Sequence, residues 1–386
     1  MPTTYVTSAV GAGLPLSRSI TATTAHRVPE LDGVRGLAIS LVILFHYLAV
    51  DAPAHGWLFY ALLPTHLMWS GVDLFFILSG LLIGGILLDN RESAPYYGVF
   101  YARRVHRIFP LYYLMIALMI IGVWLYPTFP LFQGRAKLWS FPLFAQNLTG
   151  HLTHLQPWLG SSWSLAVEEQ FYLVLPFVVR HSSRKAILWL MLSCIVGAPL
   201  IRTLMIMYGS YDQAYSLLPG RADALAYGVV VAMILRSNTA KDWVRNNSKF
   251  LYGLWLTLFA ATPTILKWSA ARYYGGTVAF SLLDSMYCLL VLLLLVNPLP
   301  VTKWFFNLSL LRWLGTLSYC IYLIHTPILQ GLFLVAGFGL HPRITGWTTL
   351  FLTVMALAIV LLVAQLSWII LEKPLINRAR LRYRYE

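Results

Sequence analysis

Charge is scarce in this chain. Only 11% of its 386 residues are Asp, Glu, Lys or Arg, where a soluble domain keeps about 25% to cover its surface. Acids are the scarcer sign, 14 against 28 Lys and Arg, so the formal net charge is +14. Cysteine is nearly missing too. Cys194, Cys288 and Cys320 all lie in apolar stretches without CxxC spacing, and read as small buried hydrophobes, not metal ligands; no metal is expected. Residues 1–27, rich in Ala, Thr and Ser, lack the apolar core of a signal peptide, and a flexible cytoplasmic arm is expected there. No internal repeat is visible, which weighs against a transporter built from inverted halves.

What the chain has in excess is apolar sequence: 59% hydrophobic residues and a mean hydropathy of +0.69. Repeated apolar runs of about 20 residues predict an all-α fold, a polytopic transmembrane helical bundle of about ten spans. These fall at roughly 36–52, 69–88, 108–126, 162–179, 186–207, 222–235, 250–267, 276–297, 317–337 and 346–371. Of the 28 Lys and Arg, 21 fall in the loops of one side, leaving Arg202 and Arg221 among the few on the other. The richer side is expected to be cytoplasmic, with both termini. Basic residues so distributed answer to a lipid bilayer, and no nucleic-acid partner is expected. The expected organisation is a membrane domain over 28–375 and a basic cytoplasmic tail over 376–386, with no room for an appended globular domain. Residues 127–161, too aromatic for a free linker, should fold against the outer mouth. They include "NLT" at Asn147, which has the form of a glycosylation acceptor.

Polar residues inside such spans cost roughly 2.5–3.5 kcal/mol each by insertion scales, so each needs a partner or a use. Helical rise converts position into depth at about 1.5 Å per residue. In "ELDGVRGLAISLVILFHY", His46 stands eleven residues beyond Arg35, roughly 16 Å above the inner edge. Glu168 and Glu169 in "SSWSLAVEEQFYLVLPFVVR" precede inner Arg180 by twelve and eleven residues. His325 in "SYCIYLIHTP" follows Arg312 by thirteen, and Ser79 in "DLFFILSGLL" precedes Arg91 by twelve. Four spans thus place protic groups at one depth, as a shared polar chamber would. Each has a plainer use: a helix–helix contact for either His, close packing for Ser79 beside Gly80, and pairing of one glutamate with Arg221 or Arg202.

A second cluster, "YARRVHRIFPLYY", gathers Arg103, Arg104, His106 and Arg107 at the inner end of the third span. Arg104 and Arg107, three apart, share a helix face. They either anchor the chain by snorkelling or clamp phosphate, whose oxygens match guanidinium forks.

With these residues in view, the chain resembles the acyltransferase 3 family of integral membrane enzymes over residues 28–375. The likeness rests on "ELDGVRGLAISLVILFHY", "GVDLFFILSGLLIG", "FYARRVHRIFPLYY", "SSWSLAVEEQFY", "GRADALAYG" and "LSYCIYLIHTP", in that order. It implies an acyl-CoA-dependent O-acyltransferase moving an acyl group, commonly acetyl, from cytoplasmic acyl-CoA to a hydroxyl of a carbohydrate or glycosylated acceptor. The setting implied is a bacterial plasma membrane. By motif match Arg35 pairs with His46, Arg104 and Arg107 fall in the family's arginine motif, and Glu168 in its tryptophan-serine-leucine-glutamate segment. The roles implied are catalysis by His46 and Glu168 and acyl-CoA binding by Arg35, Arg103, Arg104 and Arg107. Acceptor contacts are expected from Ser79, Trp163, Ser164, Glu169, Tyr172, Tyr319 and His325. Glu168 either orients His46 or binds the acceptor, and transfer is either direct or through an acyl-histidine. The competing class is a polytopic transporter or flippase of a glycolipid, which needs no arginine clamp beside a buried histidine.

Overall fold

The computed structural model describes residues 28–48, 63–149, 155–262, 264 and 275–385. The expected N-terminal arm lies outside the described residues. Every regular element among those described is helical. The principal helices are α1 (Pro29–Leu48), α2 (Gly71–Asp89), α3 (Tyr96–Leu125), α4 (Trp163–His181), α5 (Arg184–Met207) and α6 (Leu218–Ile234). They continue with α7 (Ser248–Ala260), α8 (Phe280–Val296), α9 (Ser309–Val335), α10 (Trp347–Ser367) and α11 (Lys373–Arg382).

Eight stretches among the described residues are long and apolar enough to cross a membrane, and the chain is a multi-pass membrane protein. They match eight of the ten spans expected. The other two differ for stated reasons. Helix α4 has 19 residues but carries Glu168, Glu169 and Arg180, which lower its hydropathy. Helix α7 has 13 residues, and the rest of the expected span 250–267 runs largely outside the described residues.

Lipid tails give helices no hydrophobic reason to associate, so small residues that let backbones touch decide which helices pair. On α1, a Cβ at Gly33 would enter the backbone of Phe306, and one at Gly36 that of Leu311; on α9, a Cβ at Gly315 would enter the backbone of Asp32. Helices α1 and α9 therefore run side by side and parallel. Helices α2 and α6 meet the same way, Gly80 against the Leu225 carbonyl and Gly228 against that of Ile77. The packing use that the sequence allows for Ser79 thus belongs to its neighbour, Gly80.

Between α2, α5, α6 and α8 lies a fully buried ionic cluster. Arg202 forks onto Asp223 at 2.8 and 3.0 Å, and Arg221 pairs with Asp73. The Arg221 guanidinium also sits 4.5 Å over the Phe280 ring. Both arginines are 0% exposed. This corrects the expectation that they sit in outer loops or neutralise Glu168 or Glu169: their acids are Asp73 on α2, Asp223 on α6 and the buried Asp284 on α8.

Residues 127–149 and 155–161 fold onto the bundle as short helical turns. Gln146 donates to Ser162 and Tyr112, and Trp158 to the Met115 carbonyl. Asn147, 3% exposed, donates to the Ser216 carbonyl and accepts from Gln170. Its amide is committed to packing, so the "NLT" triplet is no free glycosylation acceptor in this fold.

Candidate active site

Polar stripes at helical spacing build the site. On α4 and the turn before it, Ser161, Ser164, Glu168 and Tyr172 recur every three or four residues and so share one face. On α9 the same spacing aligns Ser318, Tyr322 and His325, with Tyr319 beside them. Helix α2 contributes Ser79, α3 contributes Arg104 and Arg107, and α1 contributes Arg35.

Together these helices surround a cleft of about 790 Å³, open solvent included. Its lining includes Arg35, Ser79, Arg104, Arg107, Ser164, Glu168, Tyr172, Tyr319 and Tyr322. Eight of these nine lining residues were singled out by sequence; Tyr322 was not. Three cations stand beside one carboxylate there. Ser79 donates to Glu168 Oε1 at 2.6 Å, Tyr172 donates to Oε2 at 3.3 Å, and the Arg104 guanidinium lies 5.3 Å over the Tyr172 ring.

The two histidines form a separate pair that is not part of this lining. His325 Nε2 lies 3.3 Å from His46 Nδ1, with ring centroids 4.8 Å apart. The Tyr47 hydroxyl donates to the His325 carbonyl at 3.0 Å, tying α1 to α9 at this height. Tyr322 joins the pair to the cleft. Its ring is 5.9 Å from that of His325, and its hydroxyl lies 2.5 Å from Ser164 Oγ and donates to the Ser161 carbonyl.

The protic groups at shared depth therefore resolve into two couples, Ser79 with Glu168 and His46 with His325. The hydrogen bonds of Glu168 run to Ser79 and Tyr172, and those of His46 to Val42 and His325. The orienting role imagined for Glu168 toward His46 has no hydrogen bond behind it.

Other expected site residues fall elsewhere. Arg103 donates from Nε and Nη2 to the Tyr383 carbonyl at 2.9 and 2.6 Å and sits 5.1 Å over the Tyr385 ring. It fastens the C-terminal segment, one helix face away from Arg104 and Arg107. Trp163 is buried between the rings of Phe76 and Tyr215, 6.3 and 4.7 Å away, as core packing. Glu169 does not line the cleft. Tyr319 lines it, but its hydroxyl is spent on the Ile108 carbonyl at 2.7 Å.

Two residues were missed. Tyr322 was legible as the middle of the series Tyr319, Tyr322, His325, each three apart. Glu372, 5% exposed, accepts from Ser367 and lies within electrostatic reach of Arg107 and Arg35. An acid closing the last apolar run was its only signal.

The chain is 27% identical over 388 aligned positions to the peptidoglycan O-acetyltransferase OatA of Listeria monocytogenes serovar 1/2a, covering 92% of this chain and 57% of the relative. It is 23% identical over 370 positions to the O-acetyltransferase OatA of Staphylococcus aureus, covering 90% and 57%. The chain thus spans a little over half the length of these relatives. No solved structure matches it. A family model described as acyltransferase domain matches residues 28–366, and the chain belongs to that family.

Proposed function

We propose that the chain is a membrane-embedded O-acyltransferase that moves an acyl group, acetyl in the first instance, from acyl-CoA to a hydroxyl of a carbohydrate acceptor. What carries the reading is one arrangement: three arginines in a cleft whose Tyr322 wall stands against a histidine pair, in a chain of this family.

Arg35, Arg104 and Arg107 would hold the phosphates of the donor through charge-assisted, bidentate hydrogen bonds. The pantetheine arm would rise along α1, whose eleven residues from Arg35 to His46 span roughly 16 Å. At that height His46 takes the proton of the acceptor hydroxyl. The hydroxyl oxygen bonds to the thioester carbonyl carbon, the carbon–sulfur bond breaks, and the departing thiolate recovers the proton from His46. An ester and free CoA result. General-base help of this kind is worth about 10²–10⁴-fold. Glu168, held by Ser79 and Tyr172, offers its carboxylate to the arginines and to an acceptor hydroxyl entering the cleft. The names of the relatives make peptidoglycan the first acceptor to try.

The test uses purified protein in lipid nanodiscs with labelled acetyl-CoA and peptidoglycan fragments, following CoA release and ester formation. Wild-type protein should release CoA, and His46→Ala should fall to background while still binding CoA. Equal turnover by His46→Ala overturns the assignment.

A further inference from the structure

The contacts of the two imidazoles decide which nitrogen of each carries hydrogen. A carbonyl oxygen only accepts, so a ring nitrogen facing one must be N–H. His325 Nδ1 faces two, the Ile321 and Tyr322 carbonyls at 3.1 and 2.8 Å. Its hydrogen is therefore on Nδ1, and in the neutral ring Nε2 is left with a lone pair. That lone pair points at His46 Nδ1 across 3.3 Å. His46 Nδ1 also faces the Val42 carbonyl at 2.9 Å, so it too bears hydrogen, a single one shared between that carbonyl and the lone pair of His325 Nε2. Both rings then have one consistent assignment, and the lone pair of His46 is on Nε2.

Contacts between α1 and α9 support this alignment. His325 is 0% exposed. Gly36 and Gly315, which meet where α1 crosses α9, each precede their histidine by ten residues, so the two rings rise equally, about 15 Å, from a common contact. The Tyr47 hydroxyl on the His325 carbonyl locks the far end.

We propose that His325 is a positioning residue for His46. It is a neutral imidazole whose Nδ1–H is fastened to its own helix and whose Nε2 accepts from His46 Nδ1–H, so that His46 presents Nε2 to the acceptor hydroxyl. It occupies the place an acid holds in a catalytic triad, without adding a negative charge to the membrane interior. This rests on the proposed function, and it replaces the acceptor-binding role expected for His325.

Two substitutions separate positioning from packing. His325→Phe keeps the ring shape and removes the acceptor. His325→Gln sets an amide oxygen near the position of Nε2 and keeps the acceptor. His325→Phe should lower kcat by about 10- to 100-fold, the usual cost of losing the outer partner of a functional imidazole, with KM for acetyl-CoA and acceptor within twofold. His325→Gln should recover most of that loss. Equal loss in both variants, an intact kcat in His325→Phe, or a raised acceptor KM with unchanged kcat overturns the proposal. A second readout needs no turnover. In histidine-selective ¹⁵N NMR spectra of wild-type protein at neutral pH, both rings should show hydrogen on Nδ1. A His325 carrying hydrogen on Nε2 sinks the pairing even if the protein transfers acyl groups. Absent transfer with both Nδ1–H signals present would sink the proposed function alone.

Discussion

Removing the guanidinium of Arg202 should be among the most damaging single changes in this protein, although it lies outside the cleft. Arg202 gives two hydrogen bonds to Asp223 and others to the Gly220 carbonyl at 2.5 Å, the Thr277 carbonyl at 3.2 Å and Ser281 at 2.6 Å. Its loss leaves the Asp223 carboxylate buried without its paired guanidinium, with Ser281 and Asp284 as hydrogen-bond partners and Arg221 as the remaining cation near it. Breaking such a pair from one side costs about 3–5 kcal/mol, mostly the penalty of the abandoned charge. That is about a 100- to 4,000-fold drop in the folded-to-unfolded ratio. With unfolding entropy near 2.1 cal/mol/K per residue over 386 residues, it corresponds to a fall in Tm of about 4–6 °C. The exposed pair Arg245–Asp242, at 54% and 61% accessibility, is the internal comparison; pairs of that kind are worth about 0.2–1 kcal/mol, or roughly 1 °C at most here. Thermal melts of detergent-purified Arg202→Met, Arg245→Met and the double variant Arg202→Met/Asp223→Leu separate the terms. The double variant should regain at least half of the single variant's loss, because no charge is then stranded. A melt of Arg202→Met within 1 °C of wild type, or a double variant weaker than the single, refutes the reasoning.

Three further outcomes are expected. Arg107→Ala should weaken acyl-CoA binding by about 10- to 100-fold, the worth of a charge-assisted hydrogen bond, while Arg103→Ala leaves binding alone and exposes residues 383–385 to proteolysis; equal effects on binding contradict the division of the arginine cluster. Glu168→Gln should cut turnover with little change in Tm, since Gln keeps the shape beside Ser79 and Tyr172; turnover within twofold of wild type removes Glu168 from the site. Gly315→Val should cost about 1–3 kcal/mol by overpacking against the Asp32 backbone and abolish transfer with both histidines intact, whereas Gly331→Ala, facing the Leu131 side chain at 3.6 Å, should be tolerated.

Much of the site could be read from spacing because helices convert residue number into height and angle. Height alone brought His46, His325, Ser79 and Glu168 to one level, and angle alone put Arg104 and Arg107 on one face with Arg103 on another. What the sequence withheld was lateral order: which of several spans at the same height stand next to each other. The glycines at 33, 36 and 315 decide that through backbone contact, and contact between distant segments leaves no periodic trace in one sequence. Arg202 and Arg221 were misplaced for a related reason. A cation near the end of an apolar run reads as a loop residue unless its acid is known, and Asp73 and Asp223 are on other stretches of chain.

The parallel crossing of α1 and α9 also limits how this molecule can change. Adding one residue between Gly36 and His46 turns everything beyond it by about 100° and swings His46 away from His325. A matching addition between Gly315 and His325 turns the other ring by the same angle in the same sense, so their facing edges still part. Neither helix can therefore gain a single residue, alone or jointly, to suit a longer or shorter acyl chain. Adaptation to a new donor has to come from substitutions in the walls that α2, α3 and α4 supply, while α1 and α9 keep their length.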